Sequence, residues 1–289
     1  MNFFKTLRCD LNKTTFNLGF LGAVILTCVL CFTASVYTDA ATDKTYSVFE
    51  AFFTIDKELI RTDYSFSSIK IFSKALSGYI TMFLPIVVAF PFMISFCAER
   101  NSGLMRFTIT RTGKTKYCVS KFMASFISGG LAALLGVALY GIIVWILFPG
   151  FSGYDVSEEQ LMWVLPSGTG MTVVKTLAAA FLYGAVTTIP AFFISSFCRN
   201  PYLITCVPFL FVYIWDTALS KIAAKGLESM DYTIYDKIGP FFPYGIANII
   251  YWTEWDSRIT VTVIFNCVYF LMGFIGFLII MNHRTDKGV

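Results

Sequence analysis

Apolar positions along the chain fall into long, continuous runs, where half-buried strands would alternate and surface helices would show one apolar face. Crossing a hydrocarbon core about 30 Å thick takes roughly 20 helical residues. Runs of that length with few charges lie at 17–37, 75–98, 122–148, 172–197, 202–219 and 259–281, and predict six membrane-spanning helices. Their continuity favours helices over barrel strands, which would appear as short segments of alternating polarity.

Shorter patterns fill the gaps. Phe3, Phe4, Leu7 and Leu11 form one apolar stripe, with Lys5, Arg8 and Lys13 among the polar positions, which predicts an interfacial helix over 2–14. Ser47 followed by Glu50 is a capping box ahead of Val48, Phe52, Ile55 and Leu59, so an outer helix is expected over 48–60. The segment 238–253 is apolar and aromatic but too short to cross, and Gly239, Pro240, Pro243 and Gly245 break it. It reads as a re-entrant segment containing Pro240, Phe241, Phe242, Pro243 and Tyr244, or as an amphipathic surface loop. Pro85, Pro91, Pro190 and Pro208 fall inside predicted spans as kinks, serving shape or acting as hinges. Small residues at 132–136 and 273–276 allow close helix approach, within the chain or at a dimer interface.

Composition agrees with a lipid environment: 56% of residues are hydrophobic, 14% are charged, and mean hydropathy is +0.69. Without a Pro/Ser-rich linker, a fixed repeat or a large polar block, residues 1–289 read as a single transmembrane domain. The basic residues ahead of the first run would suit a signal peptide, but the run is longer than the usual apolar region of one, so it is taken as a retained helix. Charge gives the orientation. The N-terminal segment, the loop 99–121, Arg199 and the C-terminal tail together hold twelve Lys or Arg against three Asp or Glu, while the other side holds ten against fifteen. Basic residues gather on the cytoplasmic side of short loops, so both termini are expected inside, in a cell membrane taken as a bacterial plasma membrane. None of the eight cysteines falls in an outer loop, so no disulfide framework is expected.

Candidate chemistry is sparse. Gly113-Lys114-Thr115 resembles the end of a phosphate-binding loop, but Thr108 stands where its first glycine belongs. Ser128-Gly129-Gly130 lies inside the third apolar run and reads as helix packing. The one histidine, His283, has no partner for a zinc site, and no G-x-S-x-G elbow occurs. The middles of the apolar runs are almost bare of charge. Lys175 and Asp216 sit near outer helix ends, as interfacial anchors or as a vestibule ion pair. Neither a metal nor a cofactor is expected on this chain, and energy for transport would come from elsewhere.

The most informative stretch is the basic loop between the second and third runs. Gly103 and Gly113 bracket a short element in which Leu104, Met105, Phe107 and Ile109 supply apolar contact, while Arg106 and Arg111 suit carboxylates on a partner. A basic loop resting on anionic headgroups is the other reading. In this loop the chain resembles the ABC-2 type permeases, the membrane subunits of ATP-binding-cassette exporters. A Glu-x-x-x-Gly pattern leaves their second span, a short coupling helix follows, and a lysine introduces the third span. Glu99, Gly103 and Lys121 occupy those places, and the resemblance extends over the whole chain.

The resemblance implies an all-α integral membrane protein of six transmembrane helices, with an N-terminal interfacial helix that touches the ATPase, a coupling helix within 99–121, and paired short re-entrant helices before the last span. It further implies an export pathway for peptides, drugs, lipids or glycans. An amphipathic substrate, such as an antimicrobial or modified peptide, is the preferred class. ABC ATPase subunits carrying ATP and Mg, a second permease copy or homologue, and membrane lipid are the expected partners, with no nucleic acid and no covalent chemistry on this chain. Two rivals are a non-transporting scaffold or sensor that holds a cytosolic partner, and an intramembrane enzyme acting on a lipid.

Overall fold

A computed structural model describes residues 3–39, 43–154, 168–198, 200–228, 232–251 and 256–286. Arg199, Asn2 and residues 252–253 of the expected re-entrant segment lie outside them. The long helices are α6 (Ile80–Asn101), α8 (Lys114–Leu147), α9 (Gly168–Ser195), α10 (Pro201–Glu228) and α12 (Ser257–Asp286). Each is long and apolar enough to cross a membrane. A sixth crossing arises if α1 (Phe3–Thr15) and α2 (Leu18–Cys31), bent by 61° where they meet, count as one span. The protein is therefore helical and of multi-pass membrane character.

The apolar run at 17–37 is not one helix. Asn17 caps α2 by accepting from the Phe20 amide, but the helix ends at Cys31 after 14 residues, about 21 Å. The chain then enters a two-stranded antiparallel hairpin, β1 (Ser35–Asp39) with β2 (Lys44–Ser47). Val36, Tyr37, Thr38, Thr45 and Tyr46 are residues whose branched or aromatic side chains suit a pleated surface, and a hydropathy window cannot see that preference. The chain remains an all-α membrane protein in class, with this one hairpin added.

Three short helices follow the hairpin: α3 (Val48–Thr54), α4 (Lys57–Thr62) and α5 (Ser68–Ser73). The Ser47–Glu50 capping box is formed in both directions, and the Glu50 carboxyl is held below its ordinary value by the Ser47 amide and then the Ser47 hydroxyl. The helix expected over 48–60 is nevertheless two, because Ile55 is extended and Asp56 accepts from the Glu58 amide to cap α4 instead. The second run likewise divides: 75–79 are turns after α5, and α6 begins only at Ile80.

Between Gly103 and Gly113 the basic loop contains a nine-residue helix, α7 (Leu104–Thr112), and the third long helix, expected from 122, already begins at Lys114, so that its first two turns belong to the loop. The 34 residues of α8 make it the spine of the fold, and α1, α2, α5, α6, α7 and α9 all pack on it. Contact with α9 is closest at paired glycines. A Cβ on Gly129 would stand 2.3 Å from Thr188 Cγ2, and one on Gly184 would stand 2.9 Å from the Gly129 carbonyl oxygen. Gly136 meets Thr27 of α2, while Gly273 and Gly276 meet Ile189 and Phe193 of α9, so the small-residue stretches serve packing within the chain.

Two apolar clusters hold the helices together. One joins α2, the hairpin and α5 to α8 and α9, centred on Phe72 and Tyr140. The other joins α6, α8, α9 and α12 through a nest of rings, with Phe122 and Phe192 each meeting Phe277. Residues 232–251 form a helix, α11 (Tyr232–Ile238), and two 3-10 turns, Gly239–Phe241 and Gly245–Tyr251. Paired short α-helices are not what the chain forms here: Pro240 and Pro243 deny two backbone donors, so the second half winds only as tight turns.

Candidate functional site

The apolar stripe on α1 predicts that Phe3, Phe4, Leu7 and Leu11 form its embedded face. The structure divides that stripe. Leu7 and Leu11 lean on the core while Phe4 is 80% exposed, and Arg8 also faces out. The face pressed deepest into the helices is polar: Thr6, Asp10 and Thr14, spaced by one helical turn and all buried. The polar face is the one buried against protein because α8 presents a charged partner at that spot.

That partner is Lys121, two turns into α8. Its ammonium lies 2.8 Å from Asp10 Oδ1 and 2.6 Å from Glu99 Oε2 at the end of α6. Ser120 Oγ donates to Asp10 Oδ2 at 2.6 Å, and Lys13 Nζ donates to Glu99 Oε1 at 3.0 Å. Lys121, Asp10 and Glu99 have side chains only 5%, 6% and 11% exposed, whereas Lys13 forms the wet edge at 54%. Two ammoniums thus balance two carboxylates contributed by three helices. A buried ion pair recovers its desolvation cost only when such contacts are complete, so the set acts as a register pin for α1, α6 and α8. The Lys121 ammonium also stands 5.5 Å from the ring centre of Tyr117, whose buried hydroxyl has no hydrogen-bond partner among the described residues.

Glu99 connects this cluster to α7. Gly103 (φ +75°) and Gly113 (φ +85°) flank the short helix in left-handed backbone that costs an L side chain about 1–2 kcal/mol, and no atom lies within 4 Å of where a Cβ would stand. Backbone conformation, not space, selects glycine there. Met105 and Thr112 are buried and Ile109 is partly buried, which anchors one face of α7. Leu104 (55% exposed) and Phe107 (72% exposed) point away from the helices, and Arg106 and Arg111 are exposed beside them.

Two basic residues flanking α7 reach the ends of other long helices. Arg100 donates to the carbonyls of Ser195, Ser196 and Cys198 at the end of α9, the last at 3.0 Å. Lys114 Nζ donates to the Asn282 carbonyl in the last turn of α12 at 2.7 Å. Cations suit helix C-termini, where unsatisfied carbonyls concentrate negative potential. The residues that flank α7 therefore join α6 to the end of α9 and α8 to the end of α12.

Of the sequence-predicted residues, Glu99, Gly103, Leu104, Met105, Arg106, Phe107, Arg111, Gly113 and the N-terminal helix come together at this one end. Pro240, Phe241, Phe242, Pro243 and Tyr244 do not join them. They lie against α12, with the Phe241 ring edge-on to Phe265 at 5.3 Å. Phe265 is eight residues into α12, about 12 Å below its start, so the segment sits inside the helical layer. Pro240 and Phe242 are buried there, and Pro243 shares a small cleft with Pro190 and Trp215.

Asp10, Ser120, Tyr117, Arg100 and Lys114 are the functional candidates that the apolar pattern passes over. One signal was available for Asp10: it is the single acid among three bases in the N-terminal segment, one turn from a threonine on either side. No family model matches the chain, and no curated protein matches it in sequence.

Proposed function

We propose that this chain is the membrane-spanning permease subunit of an ABC-2 type exporter, forming a pathway for an amphipathic substrate, with an antimicrobial or modified peptide as the class. Separate ATPase subunits bind ATP and Mg and drive it, beside a second permease copy or homologue. With the 14-residue α2 taken as a short first crossing, six crossings place both termini and α7 on the cytoplasmic side, α1 lies at the inner interface, and the segment around 240–244 dips into the membrane.

The observation that carries this reading is α7. A short helix pinned by Met105 turns an apolar pair, Leu104 and Phe107, away from its own protein and flanks them with Arg106 and Arg111. An exposed apolar pair rimmed by guanidinium groups suits an acidic-edged groove on a soluble partner. The charge cluster and the two capping cations give such a docking event a mechanical route into five helices. Binding and hydrolysis on the partner would move α7 as a lever, and the second cluster of rings would transmit that movement to the pathway.

The test is gentle solubilisation of the tagged protein from its native membrane with identification of co-purifying chains. Recovery of a P-loop ATPase that is lost when Arg106 and Arg111 are both changed to Glu is the expected outcome. Recovery of some other soluble partner, with no ATPase under any mild condition, would replace the export reading with that of a scaffold.

A further inference from the structure

At the end of the helices opposite α7, a cavity of about 560 Å³ opens between the start of α6, the start of β1, α10 and the 3-10 turn at 245–251. Polar groups from Thr33, Ser35, Thr81, Tyr244, Asn248 and, on α10, Asp216 are set in a wall that Leu76, Met82 and Val212 make partly apolar. Among the described residues Asp216 is the one carboxylate in the lining, and none of them is a cation. The Oδ1 atom is buried and has no hydrogen-bond partner among the described residues. Lys74, just ahead of the cavity rim in sequence, directs its ammonium to the Val36 carbonyl at 3.1 Å. A carboxylate within a membrane-crossing helix is costly unless something of opposite charge meets it.

A second cavity of about 830 Å³ adjoins the first, and Thr33, Ser35 and Tyr79 line both. This neighbour is walled by Phe32, Phe49, Phe52, Phe53 and Phe148. Its own carboxylate, Glu50, is already engaged by the amide and hydroxyl of Ser47. The unsatisfied acid and the aromatic chamber therefore lie side by side and share Thr33, Ser35 and Tyr79 in their linings.

We infer that the two cavities together bind an amphipathic molecule bearing an ammonium group, with the cation on Asp216 and the apolar portion among the phenylalanines. With one N–H on Asp216, the ammonium's other two are met by oxygens from among Thr81, Tyr244 and Asn248, and the Tyr79 and Tyr244 rings offer it cation–π faces. Combined volume and a few convergent polar groups in an apolar surround are what a small-molecule site requires. That this ligand is the exported substrate rests on the export reading. The binding itself does not.

The experiment uses the full-length protein in nanodiscs of zwitterionic lipid and measures saturable binding of tritiated octylamine, with empty nanodiscs subtracted and octanol as the neutral competitor. Asp216→Asn is expected to weaken binding about tenfold or more, since a charged hydrogen bond is lost. Asn248→Lys, which supplies an ammonium from the chain itself, is expected to do the same, while Gly22→Ala, which lines neither cavity, is expected to leave binding unchanged. If Asp216→Asn fails to fold, Asn248→Lys against Gly22→Ala decides. Equal binding by all variants, no saturable binding to the wild type, or displacement by octanol as effective as by unlabelled octylamine would overturn the inference. An ATPase recovered with the protein alongside any of those results would leave the export reading standing without it.

Discussion

At the scale of single residues, Lys121 has the most to lose. Its ammonium is shared between Asp10 and Glu99 with almost no water, so removing it leaves Asp10 buried with only the Ser120 hydroxyl and Glu99 with only the half-exposed Lys13. Breaking a buried pair from one side costs about 3–5 kcal/mol, whereas replacing the whole set with neutral groups of similar size is often tolerated. Lys121→Met is therefore expected to lower the thermal unfolding temperature of the purified protein sharply or to abolish its monodisperse elution. The triple change Asp10→Asn, Glu99→Gln and Lys121→Met should recover much of that loss. A triple variant no better than Lys121→Met would mean that the cluster is held by something other than charge balance. Of its four charged members, the sequence singled out Glu99 and Lys121 in their roles at the two ends of the basic loop. Asp10 was illegible because its partner lies 111 positions away, and no local period encodes that pairing.

At the scale of elements, α8 and α9 test how tightly the helices are specified. Their backbones approach at Gly129 and Gly184, where a methyl group has no room. Gly129→Ala is expected to destabilise the protein by about 1–3 kcal/mol through overpacking. Gly22→Ala on α2, where nothing lies within 4 Å, should be neutral or slightly stabilising because alanine is the better helix former. Comparison of the two melting temperatures in one detergent checks this, and a Gly129→Ala variant as stable as Gly22→Ala would place the α8–α9 contact elsewhere. The reading of Ser128-Gly129-Gly130 as packing was available from sequence, because small residues within an apolar run have few other uses. The split of the 48–60 helix was not. It depends on whether Asp56 caps a new helix or faces solvent in a continuing one, and both choices satisfy the same pattern.

At the scale of the whole molecule, the prediction that matters most is orientation. Cys9 is exposed on α1, while Cys28, Cys31, Cys97 and Cys118 are buried. If α1 lies on the inner side, a membrane-impermeant maleimide should leave Cys9 unmodified in intact cells and label it in inside-out vesicles, and Cys9→Ser should remove that signal. Labelling of Cys9 from outside intact cells would invert the topology and carry α7 away from any cytosolic ATPase. The geometry that makes orientation consequential is global: Arg100 and Lys114 connect the ends of α7 to the last turns of α9 and α12. These bonds exist only because helices far apart in sequence end at one level.

The sequence by itself determined the multi-pass membrane character, the approximate places of the long helices, and a short element bracketed by Gly103 and Gly113, because each follows from local composition or from a backbone requirement that glycine alone meets cheaply. Tertiary structure decided where apolar runs stop being helix, as at Cys31, which face of α1 is buried, and how Asp10, Glu99 and Lys121 meet. It also placed Asp216 beside a chamber of phenylalanines. Those outcomes are set by pairings across long separations, and hydropathy summed along a chain contains no record of which segments will touch.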